Sequence, residues 1–323
     1  MATFKVAVLS LGYESYDTER EILGEIDAEL ILAPADCLTD EEVIAAAGDA
    51  HAIMVREAPV TARVLNTLTR CRVVVRYGVG VDNIDLDEAR KKRVYVANVP
   101  GYGNEEVSDH AAALLLACIR TLPARERTLR QGQFETDINE SIFRTSGKTL
   151  GLLGYGAIGR VFLRKWRGFD PGRVLICDPA VSAETAKEEG FQLTDLDTLL
   201  SESDYLSLHL PLTPGTRGLI NETALRKMKP TAILINTSRG EIVDEAALAR
   251  ALKEGWILAA GLDVFEREPL PADSPLLELE NVILTGHVGW YSKDSVKELQ
   301  TRAAREVTRV LTGSEPEHWV NPW

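Results

Sequence analysis

The chain has 323 residues, of which 45% are hydrophobic and 26% are charged, and its formal net charge is −13. This composition is ordinary for a globular protein and excludes disorder, collagen and coiled coil as the main architecture. A general nucleic-acid binder needs an excess of cations for phosphate contacts, so the acidic balance argues against that class. The length predicts two domains, with one large barrel as the alternative.

The start of the chain and its cysteines bear on the cellular compartment. The segment Met1–Leu9 is too short and too strand-like for a signal peptide, and no segment approaches the ~18 continuous apolar residues of a membrane span. The four cysteines (Cys37, Cys71, Cys118 and Cys177) lie in or near apolar runs without CxxC spacing, which is typical of core residues in a reducing compartment. We therefore expect a soluble cytoplasmic protein with no membrane segment.

Residues 1–100 alternate strand and helix patterns with short connections. The predicted strands are Phe4–Leu9, Glu29–Leu32, His51–Val55, Val73–Tyr77 and Tyr95–Asn98. The predicted helices are Asp17–Ile26, Thr39 to about Ala47, Thr61–Leu68 and Leu86–Lys92. Such alternation predicts a parallel sheet.

Pro100-Gly101-Tyr102-Gly103 interrupts this series, and a long helix is predicted from Glu105 to about Arg120. Its Ala111–Ile119 stretch is apolar on every side, so it should be buried on every side. One interpretation is that one face packs on its own domain and the other on a second subunit. The alternative is burial wholly within one chain.

A second series begins at Thr149, with helices between the strands. The predicted strands are Thr149–Leu153, Arg173–Cys177, Tyr205–Leu208, Ala232–Asn236, Ala259–Val264 and Val282–Leu284. Predicted helices include Ile158–Arg167, Leu196–Ser201, Asn221–Lys227, Glu245–Glu254 and a final helix, Ser292–Leu311. Six strands with helical crossovers predict a doubly wound sheet. The tail Glu315–Trp323 carries two tryptophans, which we expect to pack back on the body.

A glycine-rich turn of the form GxGxxG follows the strand at Thr149–Leu153 and precedes an amphipathic helix. Gly154 allows a tight turn, Gly156 lets backbone approach a pyrophosphate, and Gly159 lets the helix pack close to the strand. The amides at the helix start, around Ala157 and Ile158, favour phosphate binding. The alternative is a glycine-rich turn that binds no phosphate.

Asp178 ends the next predicted strand, 19 residues after Gly159 (178 − 159). At that position an acid accepts hydrogen bonds from the adenosine ribose hydroxyls. Its charge would repel a 2′-phosphate, and Pro179-Ala180-Val181 offers no arginine. The sequence therefore favours NAD over NADP as the cofactor.

Three polar segments follow predicted strands on the side where open α/β sheets bind ligands. Arg239 follows the strand at Ala232–Asn236, Asp263 and Glu268 leave the strand at Ala259–Val264, and His287 follows the strand at Val282–Leu284. Taken singly, Arg239 could be a structural ion-pair partner, Glu268 a solvated loop acid, and His287 a core histidine.

Taken together, these side chains suit oxidation of an alcohol beside a carboxylate. His287 can take the hydroxyl proton near neutral pH. Glu268 can orient the imidazole and stabilise its protonated form. Arg239 presents a rigid fork that fits a carboxylate and can polarise a carbonyl.

The chain resembles the D-2-hydroxyacid dehydrogenases, in the branch that holds C-terminal-binding protein, phosphoglycerate dehydrogenase and bacterial relatives. The resemblance covers essentially the whole length and is carried, in order, by Val75–Asp85, Asn98–Tyr102, Leu153–Gly159, Asn236–Gly240, Asp263–Pro269 and His287–Ser292. It implies two Rossmann-like, doubly wound parallel-sheet domains with the active site in the cleft between them. Residues 1–100 plus 291–323 would bind substrate, and residues 101–290 would bind NAD and form a homodimer.

The resemblance also implies roles for single residues. Arg239, Glu268 and His287 match the catalytic set, and no metal is implied. Asp263 matches an acid that holds the nicotinamide carboxamide, and Thr237, Ser238 and His287 lie on the cofactor side. His209, Pro211 and Thr213 match a loop under the adenosine, although His209 could instead be a structural residue behind it.

Substrate contacts are implied in the N-terminal domain. The amides of Gly78-Val79-Gly80 match a loop that grips the substrate carboxylate, or they form a plain tight turn. Tyr77, Tyr102 and Trp290 could line the side-chain pocket, and Arg56 could contact a second anionic group or simply pair with Glu57.

These implications predict an NAD-dependent dehydrogenase of a small 2-hydroxy acid, equivalently a 2-oxoacid reductase. Glu268 argues against formate as substrate, because the formate dehydrogenases of this superfamily carry Gln there. Gly286 stands where the family usually has Pro, which could loosen the histidine loop. The alternative function is an NAD(H)-sensing interaction protein with little catalytic activity, like the co-repressor members of the branch.

Overall fold

A computed structural model describes residues 3–134 and 141–323. The chain divides into two compact units. Unit 1 consists of residues 1–103 and 292–323, and unit 2 consists of residues 104–291. Each unit is built around one parallel sheet.

The sheet of unit 1 has five parallel strands in the order β2-β1-β3-β4-β5. They are β1 (Phe4–Val8), β2 (Ala28–Leu32), β3 (Ala52–Val55), β4 (Val73–Arg76) and β5 (Tyr95–Ala97). Strand β3 is buried along its whole length, as expected for a parallel sheet that is covered on both faces. All five predicted strands are confirmed, with ends shifted by one residue at most.

Four helices connect these strands: α1 (Asp17–Gly24), α2 (Asp40–Ala47), α3 (Ala62–Thr67) and α4 (Leu86–Lys92). Thr39, Thr61 and Asp85 each accept a hydrogen bond from the backbone amide three residues on and so cap α2, α3 and α4. Helix α1 ends two residues before its predicted end, and the chain then turns at Asp27, whose φ is +53°.

Unit 2 begins with α5 (Asn104–Ile119) and α6 (Leu122–Arg130). Helix α5 buries Ala111, Leu114 and Leu115 among other residues, whereas Ala113 is exposed and Leu116 is half-buried. The alternative that this helix is buried wholly within one chain is therefore wrong.

The sheet of unit 2 has seven parallel strands in the order β12-β11-β10-β9-β6-β7-β8. They are β6 (Thr149–Leu153), β7 (Arg173–Cys177), β8 (Gln192–Leu193), β9 (Tyr205–Leu208), β10 (Ile233–Asn236), β11 (Ala259–Leu262) and β12 (Val282–Leu284). The six predicted strands are confirmed, and the two-residue β8 was not predicted. The strand order reverses between β6 and β9, which is where such sheets bind ligands at the carboxyl ends of their strands.

The crossover helices of unit 2 are α7 (Ala157–Trp166), α8 (Ala183–Glu189), α9 (Leu196–Glu202), α10 (Glu222–Lys227) and α11 (Glu245–Glu254). Helix α7 packs beside α5. Single 3₁₀ turns lie at Arg167–Phe169, Gly240–Ile242 and Pro275–Glu278.

The C-terminal segment returns to unit 1. Helix α12 (Lys293–Leu311) packs on α1, and its Gln300 donates to the buried Glu19 at 3.0 Å. The predicted packing of the two terminal tryptophans is confirmed, because Trp319 and Trp323 lie 5.0 and 4.7 Å from the ring of Tyr95. All four cysteines are free, and no helix within residues 3–134 and 141–323 has the length and apolarity to cross a membrane.

Candidate active site

The glycine-rich turn joins β6 to α7. Gly154 has a φ of +93°, and a Cβ on it would lie 2.4 Å from the carbonyl oxygen of His209. A Cβ on Gly159 would lie 2.8 Å from the Gly154 carbonyl oxygen. The tight turn needs the first glycine, and the close approach of helix to turn needs the other.

Gly156, the middle glycine, faces open space. Apart from its own chain neighbours, no atom of the described residues lies within 4 Å of a Cβ built there. Gly156 is also the N-cap of α7, without a side-chain cap, and the first turn of α7 carries no acid. The open backbone and the uncapped helix start fit a phosphate group.

Asp178 follows β7 beside this turn. Its Oδ2 accepts from the Tyr155 amide at 2.7 Å and its Oδ1 accepts from the Ala180 amide at 2.8 Å. The side chain is half-buried. Each oxygen keeps a lone pair for another donor, so the carboxylate is fixed and still able to bind hydroxyl groups.

His209 lies under the turn in a structural role. Its Nε2 is 2.9 Å from the Ser207 hydroxyl, and its ring packs on Phe162 at 5.1 Å. Burial lowers the pKa of His209 to about 3, so the ring is neutral. These contacts favour the structural alternative for His209, and its adenosine role stays a prediction. Pro211 and Thr213 lie exposed in the loop that follows.

The turn after β10 presents Arg239. Buried Asn236 accepts a hydrogen bond from the Ser238 amide at 3.0 Å and donates one to the Arg239 carbonyl at 2.9 Å. The Ser238 hydroxyl donates to the Leu208 carbonyl at 2.7 Å. The Thr237 hydroxyl is buried, without a partner in the described parts of the chain. A Cβ on Gly240 would lie 1.8 Å from the Phe265 carbonyl carbon, so only glycine fits there.

Glu268 and His287 form the pair that the sequence predicted. Glu268 Oε2 lies 2.7 Å from His287 Nδ1, and Glu268 Oε1 accepts from the Phe265 amide at 3.1 Å. Burial alone would raise the pKa of Glu268. This effect is outweighed by the hydrogen bond and charge of His287, by the Phe265 amide and by the charge of Arg239, so the pKa lies below its usual range. An ionised carboxylate can only accept hydrogen bonds, so His287 Nδ1 carries a proton and His287 Nε2 is left for proton transfer.

The backbone of His287 is held in the left-handed region, with a φ of +55°. Its amide donates to the Asp263 carbonyl at 2.7 Å, and the Trp290 indole donates to its carbonyl at 3.0 Å. Two further amides, those of Val288 and Gly289, donate to the Asp263 carboxylate at 3.0 and 2.8 Å.

Asp263 therefore holds the histidine turn from inside unit 2, and its assignment to the nicotinamide carboxamide stays a prediction. The side chain is 3% exposed and also accepts from the Thr285 hydroxyl at 2.6 Å. Burial raises the pKa of Asp263, but hydrogen bonds from His110, Thr285 and the two loop amides outweigh it and leave the pKa below its usual range. The charge is satisfied from inside unit 2.

The remaining predicted residues lie in unit 1. The Arg56 Nε donates to Glu57 Oε2 at 2.5 Å while its side chain stays 25% exposed. Tyr77 is 1% exposed and donates to Glu19 at 2.8 Å, which does not fit a pocket wall and corrects that prediction.

The Gly78-Val79-Gly80 loop is a strained turn. Gly78 has a φ of +140°, and its amide donates to the Arg76 carbonyl at 2.9 Å. This contact fits the alternative of a plain tight turn at Gly78, and the role of the loop amides in gripping substrate stays a prediction. Val79 is 46% exposed, and its carbonyl accepts from Asn98 at 2.7 Å, so the loop is anchored while its tip faces outward.

Sequence reasoning missed three residues of this site. Asn236 and Thr285 stand at strand ends, where a polar residue after an apolar run was a usable signal. His110 was a weaker signal, a histidine at the start of the apolar part of α5. No group of three His, Cys, Asp or Glu side chains in the described residues could hold a metal ion.

Comparison with known proteins relates the chain to enzymes of one kind. Residues 112–289 match the family model of the D-isomer specific 2-hydroxyacid dehydrogenase NAD binding domain. The chain is 42% identical over 266 residues to a glyoxylate reductase of Korarchaeum cryptofilum, covering 81% of this chain and 80% of that one.

Two further similarities extend this picture. The chain is 41% identical over 274 residues to a D-3-phosphoglycerate dehydrogenase of Mycobacterium bovis, covering 84% of this chain but 51% of that longer protein. The crystal structure of a glyoxylate reductase from Paecilomyes thermophila matches with a TM-score of 0.86 at 27% identity, over 99% of both chains.

Proposed function

The chain belongs to the D-isomer specific 2-hydroxyacid dehydrogenase family, in its phosphoglycerate-dehydrogenase-like branch, and we propose that it interconverts a small 2-oxoacid and its 2-hydroxy acid through Arg239, Glu268 and His287. It is an NAD-dependent oxidoreductase. The 2.7 Å contact between Glu268 and His287 carries the proposal for the catalytic set. An NAD-sensing protein without chemistry is not favoured, since the relatives are named reductases and dehydrogenases.

The residues of unit 2 fit the cofactor. We assign the pyrophosphate to the open backbone of Gly156 and the start of α7, where the amides of Ala157, Ile158 and Gly159 lie. Asp178 would accept from the adenosine ribose, and the loop of Pro211 and Thr213 would lie near the adenosine. Thr237, with its unpartnered hydroxyl, and Ser238 would lie on the nicotinamide side. Bound NADH supplies the hydride that reduces C2 of the oxoacid.

The catalytic side chains then divide the remaining work. Protonated His287 donates the Nε2 proton to the oxygen on C2, and in the reverse direction the neutral ring takes it back. The Glu268 carboxylate stabilises the protonated ring through Nδ1 and fixes its orientation. The Arg239 guanidinium binds the substrate carboxylate and draws electron density from the carbonyl.

Unit 1 supplies the proposed substrate contacts. The exposed tip at Val79 and Gly80 would offer backbone amides to the substrate carboxylate, and Arg56 would meet a second anionic group on the substrate. Trp290 of unit 2 would pack on the substrate side chain. Arg56 can serve this purpose while it pairs with Glu57, because that pair uses only Nε and leaves the two terminal nitrogens as donors.

We further propose that the enzyme is a cytoplasmic homodimer. The four free cysteines fit a reducing compartment. Ala113 of α5 is exposed and Leu116 is half-buried, and Leu122 and Leu129 of α6 are 52% and 57% exposed. Exposed apolar patches of this kind mark interfaces, and a second copy would cover them.

The first prediction concerns the catalytic set. His287→Ala and Arg239→Ala should each lower turnover by ~10²-fold or more, because one removes the proton donor and the other the charge that polarises the carbonyl. The assay is NADH oxidation with glyoxylate, hydroxypyruvate and 3-phosphohydroxypyruvate. Arg217→Ala, at a 60% exposed arginine of unit 2, is the control. Near wild-type turnover in either variant would exclude that residue from catalysis.

The second prediction concerns cofactor choice. Asp178→Ala should raise the KM for NADH about tenfold and leave that for NADPH equal or lower, because a charge-assisted hydrogen bond to the ribose is lost. Asp197→Ala removes an acid of the same unit that pairs with Lys227 and serves as the control. An unchanged ratio of NADH to NADPH activity would argue against the ribose role.

The third prediction concerns the substrate. Arg56→Ala should lower kcat/KM for 3-phosphohydroxypyruvate about a hundredfold and for glyoxylate by less than about threefold, because only the former carries a second anionic group. Glu57→Ala, which frees the Arg56 Nε, should preserve both activities. Equal losses on both substrates would assign Arg56 a structural role.

The fourth prediction concerns assembly. The double variant Leu122→Glu/Leu129→Glu should convert a dimer into monomers of 35.5 kDa in sedimentation velocity, because charges cannot be buried unpaired at an interface. Leu277→Glu, at an equally exposed leucine (52%) elsewhere in unit 2, should leave the dimer intact. A wild-type protein that sediments as a monomer would refute the proposal.

A further inference from the structure

We propose that His110 is a positioning residue that holds the catalytic histidine turn through Thr285 and Asp263, an inference that rests on the proposed function of His287. His110 lies on α5 with its side chain 23% exposed. Its Nε2 is 2.8 Å from the Thr285 hydroxyl and 3.4 Å from Asp263 Oδ1. No step of the proposed chemistry uses this imidazole directly.

The hydrogen bonds of this cluster have a defined direction. The Thr285 hydroxyl lies 2.6 Å from Asp263 Oδ1, and an ionised carboxylate can only accept, so the hydroxyl donates to it. The hydroxyl oxygen is then an acceptor for His110, whose Nε2 must carry a proton. The result is a directed chain from His110 to Thr285 to Asp263.

Asp263 transmits this constraint to the catalytic turn. Its two carboxylate oxygens accept from the Val288 and Gly289 amides, and its carbonyl accepts from the His287 amide. A rotation of the carboxylate would therefore break its contact with Thr285 before His287 and its contacts with Val288 and Gly289 after it.

The packing around Gly289 ties the same groups together. A Cβ on Gly289 would lie 2.9 Å from Asp263 Oδ2 and 3.3 Å from His110 Cδ2. A side chain at position 289 would therefore collide with the carboxylate and crowd the imidazole of His110. The ring of His110 forms one wall of the space that the loop backbone occupies.

A glycine precedes His287 on the N-terminal side of its turn. Within the described part of the chain, no atom beyond the chain neighbours lies within 4 Å of a Cβ built at Gly286, and glycine is the most flexible residue. Helix α5, in contrast, is anchored in the core by Ala111, Leu114 and Leu115. His110 thus connects the turn that follows Gly286 to a helix that is anchored in the core.

The test compares two substitutions of His110 with a control on the same helix. His110→Leu fills a similar volume but cannot donate. His110→Gln keeps a hydrogen-bond donor, because the amide nitrogen of Gln lies the same number of bonds from Cβ as Nε2 of His. Ser108→Ala removes the polar contacts of α5 with Glu105 and Lys165 and leaves the Asp263 cluster intact.

We expect His110→Leu to lower kcat about tenfold with little change in the KM for the oxoacid or in NADH binding by fluorescence. Its pH profile of kcat should move to lower pH, because a loosely held imidazolium is stabilised less by Glu268. His110→Gln should restore most of kcat and the profile. Ser108→Ala should match the wild type in both, since a loss of helix stability alone would not move a pH profile.

An activity-independent measurement separates this inference from the proposed function. In histidine-labelled protein, the imidazole NMR signals of His287 should change with His110→Leu and return towards wild type with His110→Gln. If the wild-type protein reduced no oxoacid, the proposed function would be refuted, but the NMR measurement would still test the positioning role of His110. Unchanged His287 signals, or an unchanged kcat and pH profile in folded His110→Leu, would overturn the positioning role.

Discussion

A buried negative charge organises the catalytic end of unit 2. Asp263 is 2% exposed, and an ionised carboxylate in such surroundings costs several kcal/mol unless donors surround it. The donors that meet it are the Thr285 hydroxyl and the Val288 and Gly289 amides, with His110 beside them. The bonds that solvate Asp263 are the same bonds that shape the His287 turn, so satisfying one charge also fixes the position of the proposed proton donor.

The parallel sheet explains why so much chemistry meets at one edge. All seven strands of unit 2 run in one direction, so their carboxyl ends lie on the same side. The interior of each strand is apolar, and the first residues beyond it are free to be polar. Asp178, Thr237, Asp263 and Thr285 each follow a strand directly. Glu268 meets His287 there, and the hydrogen bond and charge of His287, helped by the Phe265 amide and the charge of Arg239, hold the pKa of Glu268 low despite its burial.

The sequence predicted these elements well because strands buried on both faces read as short apolar runs. It failed where a role depends on contacts that are distant in the chain. Tyr77 is an example, because it was predicted to line the substrate pocket but instead faces Glu19. An apolar run does not show on which side of a doubly covered sheet a side chain will lie. The donors that surround Asp263 were equally hidden, because an acid after a strand does not reveal which groups will bond to it. One of them, His110, bonds a residue 175 positions away.

Gly240, beside Arg239, and Gly286, beside His287, show that the two turns are constrained in different ways. At Gly240 a side chain would overlap the Phe265 backbone, so packing alone dictates the path of the chain beside Arg239. At Gly286 no such restriction exists within the described residues, and the flexible glycine makes ordering of the turn entropically costly. The order of His287 must then come from individual hydrogen bonds to Asp263 and from Trp290. These bonds lie outside the apolar clusters of unit 2, so the position of His287 depends on polar contacts to a buried charge rather than on core packing.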